Sequence, residues 1–372
     1  MPADFNVYHY RAWPGHWSGP IKKLAYYISS HGYGHYARSI PVLNQLSDDF
    51  DIHIKSKVPE SLFSLGFKKP FRYLSQPVDT GCCHSDSLEV DAEETFKCLV
   101  DFQNHSWVDA EKKWLQENQV DIVLSDVASM PLKAAHELGI PSILIGNFTW
   151  HDIYCHLPGA DKHKELLETL AEDYNCADLQ ILPQCHLPPP AKRESKEVGF
   201  LAQNGQSRRK ELEQHLEISF EDKTLIFIYL GLFGTDSVKW EKLAQNKECL
   251  FLTRDPIKNP PSNLYRLDDR FTFPDLIASV DVVCTKGGYS TIGSAFTSHK
   301  PVITCERHDF YEFMAIREYL SKTQTGVIIE DEDFYRANWD RSIKTALSLT
   351  VKDKVPLNGE IEILETLHKM LS

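Results

Sequence analysis

Two histidines four residues apart, an aspartate at the end of an apolar run, and a lysine before paired glycines are the residues with most chemistry in this chain. The histidines lie in Ser29-Ser30-His31-Gly32-Tyr33-Gly34-His35. A histidine facing a cleft titrates near neutrality and suits a general base, provided a partner fixes its tautomer. Asp126 closes the run Ile122-Val123-Leu124-Ser125 and could be that partner, or could cap the helix that follows. Metal ligation by the histidine pair is disfavoured, because no glutamate intervenes and His31 sits in the turn rather than on the helix. Packing or capping at the helix start is the alternative for both rings.

The lysine belongs to Thr285-Lys286-Gly287-Gly288-Tyr289-Ser290-Thr291. Lys286 offers a point charge, Gly287 and Gly288 allow close approach of the backbone, and Ser290 and Thr291 place hydroxyls at a helix start. Phosphate binding uses these features; so does ordinary helix capping. Further on, Glu306-Arg307-His308-Asp309-Phe310-Tyr311-Glu312 follows an apolar strand. There Asp309 and Glu312 could bond sugar hydroxyls and Arg307 a phosphate, unless the loop is simply solvated.

Strands and helices must alternate to hold these groups, and they do. In the first half, strands are expected near Leu24–Ser29, Asp51–Lys55, Asp121–Ser125, Ser142–Ile145 and Leu179–Leu182, with helices near His35–Leu46, Ala92–Glu117, Pro131–Leu138 and Lys162–Tyr174. The pattern restarts with strands near Thr224–Leu230, Leu250–Thr253, Val280–Cys284, Val302–Cys305 and Val327–Ile329. Such alternation predicts an α/β chain of two doubly wound Rossmann-like domains facing across a cleft. Each glycine turn follows a strand and opens a helix, where free N–H groups and the helix dipole favour an anion. The expected division is an extension over 1–23, a first domain over 24–184, a proline-rich linker over 185–200, a second domain over 201–345, and helices over 346–372 packing back on the first domain.

Several reactions are excluded by what is missing. The first turn lacks the third glycine of a dinucleotide fingerprint, and the next strand ends in Lys55-Ser56-Lys57 rather than an acid. Neither a G-x-x-x-x-G-K-[ST] loop nor a G-x-S-x-G elbow occurs. Asp49-Phe50-Asp51 and Asp331-Glu332-Asp333 read as solvated charges rather than metal chelators. With 42% hydrophobic and 25% charged residues among 372, the composition is that of a globular protein, and no apolar run is long enough to span a bilayer. Residues 1–23 do not read as a secretory signal. A net charge of −13 argues against nucleic acid as the main partner. Nine scattered cysteines fit thiols in a reducing cytoplasm better than a disulfide framework. Oligomeric state is not legible.

Taken together, these segments resemble the GT-B glycosyltransferases. Ser125-Asp126 with the stretch Ala134 to Ser142 is similar to the acceptor-domain signature of that group. Gly34-His35 is similar to the Gly-His turn of the lipid-II-forming N-acetylglucosaminyltransferases. A narrower likeness lies in Ile28 to Ile40 (I-S-S-H-G-Y-G-H-Y-A-R-S-I), in Gly146 to Tyr154, and in Thr285 to Tyr289, with Tyr335 and Asn338-Trp339 near the end. These resemble the glycosyltransferase-like N-terminal domain of plant-type L-arabinokinases and their stand-alone bacterial relatives. No glycine- and serine-rich ATP loop follows residue 340, so kinase activity is not implied.

The resemblance implies a metal-independent inverting transferase that takes a nucleotide-diphosphate sugar, UDP-linked, and a hydroxyl acceptor, with no other cofactor. It implies His35 as the base and Asp126 as its partner. His31, Gly32, Gly34, Asn147 and Trp150 fall on the acceptor side. The diphosphate falls to Gly231, Gly234, Lys286, Gly287, Gly288, Ser290 and Thr291, with Arg307, Asp309 and Glu312 nearby. The chain departs from the UDP-sugar enzymes at Lys286, where histidine is usual, at Phe310, where glutamine often follows the aspartate, and at Ser294, where glutamate is common. Those departures keep open two other readings: a non-hydrolysing nucleotide-sugar epimerase and a non-catalytic nucleotide-sugar sensor.

Overall fold

Short runs of β-branched and aliphatic residues pair side by side into two all-parallel sheets. The computed structural model describes residues 21–46, 48–84, 90–103, 107–191, 193–231, 237–308 and 310–371. Most of the N-terminal extension, Gly234 and Asp309 therefore lie outside the described residues.

The first sheet is built from β1 (Lys22–Ile28), β2 (Phe50–Ser56), β3 (Arg72–Ser75), β6 (Ile122–Asp126), β7 (Ser142–Ile145), β8 (Leu179–Pro183) and β9 (Ser195–Val198), in the order β3-β2-β1-β6-β7-β8-β9. Between β3 and β6, the two-residue strands β4 (Cys83–His84) and β5 (Val90–Asp91) form a small antiparallel pair. The second sheet contains β10 (Thr224–Tyr229), β11 (Cys249–Thr253), β12 (Leu264–Arg266), β13 (Val282–Thr285), β14 (Val302–Cys305) and β15 (Gly326–Ile329), in the order β12-β11-β10-β13-β14-β15. Helices cover both faces of such sheets, which is why central strands read as unbroken apolar runs. Leu24 to Ile28 and Ile122 to Asp126 are fully buried.

Parallel pairing puts all carboxyl ends of a sheet on one edge, and register places the chemistry there. Asp126 is paired with Ile28 on one side and Ile145 on the other, so it sits beside the turn carrying His31 and His35. In the second sheet Thr285 pairs with Tyr229 and Thr304, which brings Lys286, Gly231 and the loop after β14 together.

The 185–200 stretch is not a free linker. Pro188–Pro190 connects β8 to β9, which pairs with β8 as the edge strand of the first sheet. The chain crosses to the second half just beyond, where Phe200 packs in the second core and Leu201 in the first. It returns near Leu357. Helix Gly359–Leu371 buries Ile363, Leu364 and Leu367 in the first core against Val42 and Leu43 of helix Tyr33–Gln45, while helix Asp340–Leu347 stays with the second half. In the stretch expected to be helical over Ala92–Glu117, helix is described over Ala92–Gln103 and Trp107–Asn118, and residues 104–106 lie outside the described residues.

Candidate active site

Helix Tyr33–Gln45 begins after Gly32, whose φ of 75° is left-handed backbone that glycine adopts without strain. No side chain caps this helix, so its first N–H groups remain available at the sheet edge. The first turn carries His35 and Arg38 on one face, both pointing at Asp126. His35 Nδ1 lies 2.6 Å from Asp126 Oδ1. Arg38 takes the same carboxylate bidentately, Nε to Oδ2 at 2.7 Å and Nη2 to Oδ1 at 2.6 Å. Ser39 Oγ also donates to Oδ2, at 3.3 Å. The capping alternative for Asp126 is ruled out by the next helix, which starts at Met130 with Ser129 before it.

Burial pushes the Asp126 carboxyl up, but the charges and hydrogen bonds of Arg38 and His35 outweigh it and hold the group at about 2. The carboxylate is thus ionised at neutral pH. His35 Nδ1 stands between Asp126 Oδ1 at 2.6 Å and Arg38 Nη2 at 2.9 Å; the shorter contact, to an ionised acceptor, assigns the proton to Nδ1 and leaves Nε2 as the ring's acceptor. His35 makes no hydrogen bond through Nε2 to the described residues. The ring is flanked by Phe148 and Trp150, with centroids 6.0 and 5.9 Å away.

His31 has a different environment. Its Nδ1 accepts from the Cys82 backbone N–H at 3.3 Å, and Trp150 meets its ring edge-on at 4.9 Å. Burial, together with the charges of His35, His84, Lys286 and Arg307, holds its imidazole down at about 3. A ring so weakly basic is a poor proton acceptor.

On the second domain, Gly288 precedes helix Tyr289–Thr297, again without a side-chain cap. Gly287 has φ of 85°, and a Cβ there would meet Phe313 at 2.7 Å. Gly231, at φ 91°, lies beside Lys286: a Cβ on it would stand 3.4 Å from Nζ, and the positive φ rather than space favours glycine there. Thr291 is buried, and Ser290 Oγ donates across to the Gly34 carbonyl at 2.6 Å. Glu312 accepts from Asn147 Nδ2 at 2.7 Å, and Asn147 Oδ1 accepts from Arg38 Nη1 at 2.5 Å. Phe310 packs edge-on to Phe148 with centroids 6.1 Å apart, and Arg307 lies 5.2 Å over the Phe310 ring. Ser294 is buried within its helix.

Three residues at the site escaped the sequence reading. Arg38 is one; its signal is an arginine one turn after His35 on an otherwise buried helix face. Asp79 is a second: it accepts from Trp150 Nε1 at 2.9 Å and from Ser29 Oγ at 3.1 Å, and burial raises its carboxyl. Asp255, beyond β11, is the third. It accepts the Leu230 N–H at 2.6 Å, and burial pushes it up to about 6 despite the opposing backbone bond and Lys286. Among the described residues, no group of three or more histidines, cysteines, aspartates or glutamates could hold a metal ion, and no helix is long and apolar enough to cross a membrane.

No family model matches the chain. In sequence it is similar to L-arabinokinase of Arabidopsis thaliana, 27% identical over 344 residues, which is 90% of this chain and 33% of that protein. The chain thus spans about a third of the length of this curated relative. In structure it is similar to the glycotransferase of kitacinnamycin (TM-score 0.67, 14% identity, 95% of this chain and 100% of the other). A UDP-glucosyltransferase from Polygonum tinctorium capable of glucosylating indoxyl matches with TM-score 0.66 and 15% identity, over 95% of this chain and 99% of the other. MurG of Acinetobacter baumannii matches with TM-score 0.59 and 11% identity, over 94% of this chain and 100% of the other. With two all-parallel α/β halves meeting along their carboxyl edges, the chain is a GT-B-fold protein.

Proposed function

We propose that this chain is a metal-independent inverting glycosyltransferase, moving a sugar from a nucleotide-diphosphate sugar of the UDP kind to a hydroxyl acceptor without a further cofactor. The observation that carries this reading is the 2.6 Å pair of His35 Nδ1 and Asp126 at the mouth of the first glycine turn, facing a second turn that carries Lys286. In the proposed reaction Nε2 of His35 takes the acceptor proton while the acceptor oxygen attacks the anomeric carbon. The bond from that carbon to the diphosphate breaks with inversion, and the nucleoside diphosphate departs with the bonding pair. Its negative charge falls to Lys286, Arg307 and the N–H groups after Gly287 and Gly288.

The sequence likeness to L-arabinokinase and the fold likeness to sugar transferases support the reading, as does a cleft with a base on one wall and cationic groups on the other. That no disulfide joins the nine cysteines accords with a cytoplasmic setting. The test is a thermal-shift panel of nucleoside diphosphates and nucleotide sugars, followed by an assay for released diphosphate with hydroxyl acceptors. Stabilisation by one nucleotide and acceptor-dependent release support transfer. Isomerised donor without an acceptor would show an epimerase, and binding without release a sensor.

A further inference from the structure

We propose that Glu312 acts on the base through Asn147 and Arg38 rather than on the donor sugar, so that closing the cleft completes the charge balance around His35. The inference rests on the reading of His35 as the base. Four side chains form an unbroken buried chain: Asp126, Arg38, Asn147 and Glu312, exposed by 0, 2, 0 and 9%. The first three belong to the first domain, on β6, on helix Tyr33–Gln45 and in the turn after β7. Glu312 alone comes from the second domain, at the end of the loop after β14.

Each link in this chain has only one chemical solution. A guanidinium only donates and a carboxylate only accepts. The amide between them must therefore turn its oxygen to Arg38 and its nitrogen to Glu312, as it does at 2.5 and 2.7 Å. Remove Glu312 and nothing on that side fixes the amide, so the third anchor of Arg38 loosens. Arg38 in turn holds both oxygens of the carboxylate that sets the His35 tautomer.

Charge follows the same path. Within the first domain, Arg38 and Asp126 cancel. Glu312 adds one negative charge to a largely buried group, where charges interact strongly. His35 gains one positive charge when it takes the acceptor proton. The closed cleft therefore holds a balanced set at the moment of transfer, and an open cleft does not. Burial opposes the charge of Arg38, and Asp126 with Glu312 overcomes it, consistent with one cation serving two carboxylates. Arg38, Asn147 and Glu312 are positioning residues in this account.

Glu312→Gln keeps an acceptor for Asn147 and removes only the charge; Asn147→Ala removes the bridge. Calorimetry with a UDP-sugar reads donor affinity, and saturating kinetics read kcat. Each variant is expected to lose roughly ten- to hundredfold in kcat, with donor Kd within about twofold of the parent and the double variant no worse than the poorer single. Weakened donor binding with kcat retained would place Glu312 on the sugar and overturn the proposal, as would losses that multiply. Should the parent chain transfer no sugar, the base reading fails by itself, and the relay is then read without activity. In 15N-histidine NMR, the Nδ1–H of His35, assigned by its loss in His35→Gln, is expected to be slow to exchange and to broaden in Asn147→Ala. An unchanged signal overturns the relay. Glu312→Asp, which keeps the charge but withdraws it from Asn147, replaces the glutamine variant if that fails to fold, with the same loss of kcat expected.

Discussion

The hydroxyl of Ser290 donates to the carbonyl of Gly34 at 2.6 Å, joining the glycine turn of one domain to that of the other. A hydroxyl at this helix start is a natural phosphate contact, yet here it bridges domains. Ser290→Ala should accordingly leave nucleoside-diphosphate affinity within about fivefold, since one neutral hydrogen bond is worth about 1 kcal/mol at most positions. It should instead loosen closure, seen as a larger radius of gyration in small-angle scattering with nucleotide bound. A large loss of affinity with unchanged scattering would return the hydroxyl to the phosphate.

The His35–Asp126–Arg38 group separates catalysis from stability. His35→Ala is expected to lower turnover by roughly 10²–10⁴-fold with nucleotide binding retained. Asp126→Ala leaves Arg38 buried beside a lost partner and should cost about 3–5 kcal/mol in urea unfolding. Replacing both, as Asp126→Leu with Arg38→Met, should recover much of that stability without recovering turnover. If the double variant were less stable than Asp126→Ala, the buried pair would be a net stabiliser.

Lys286 Nζ lies 3.4 Å from where a Cβ on Gly231 would stand. Lys286→Met should raise the Kd for a nucleoside diphosphate about ten- to hundredfold, as expected for a charge-assisted contact, and flatten its dependence on salt. Isothermal titration at two ionic strengths measures both. Gly287→Ala, by contrast, is expected to act on the fold, through its positive φ and the Phe313 ring, and to lower the melting temperature.

Asp255 gives a pH signature. Its carboxyl is raised from 3.8 to about 6 by burial, so between those values the folded chain binds more protons than the unfolded one. The contribution of this group to stability is therefore greatest below 3.8 and is lost as pH rises through 6. Asp255→Asn removes that titration while keeping an acceptor for Leu230. The melting temperature of the variant relative to the parent should climb between pH 4 and pH 7.5, by an amount corresponding to about 1–3 kcal/mol. A constant difference across that range would place the Asp255 carboxyl at its ordinary value.

Central strands were legible because a parallel sheet buried on both faces leaves an apolar run with no competing explanation. Edge strands were not. Arg72 to Ser75 and Ser195 to Val198 are polar and partly exposed, and only pairing with β2 and β8 makes them strands. Asp126 stood out at a strand end, and so did Lys286 between a strand and two glycines. Arg38 carried no such mark, because an arginine on a helix is usually solvated and its use depends on two residues distant in sequence. The contact between Glu312 and Asn147 was hidden for a related reason. A carboxylate in a polar loop suits a sugar, and nothing local shows that Asn147 waits across the cleft.

The two chain crossings between domains run side by side. Phe200 donates to the Pro356 carbonyl at 3.0 Å, Gly359 donates to Phe200, and a Cβ on Gly359 would strike the Gly199 carbonyl oxygen at 2.1 Å. Two straps pinned together share a bending axis but resist torsion. A swivel that slid one domain past the other would have to break the pin, whereas bending about the straps would leave it whole.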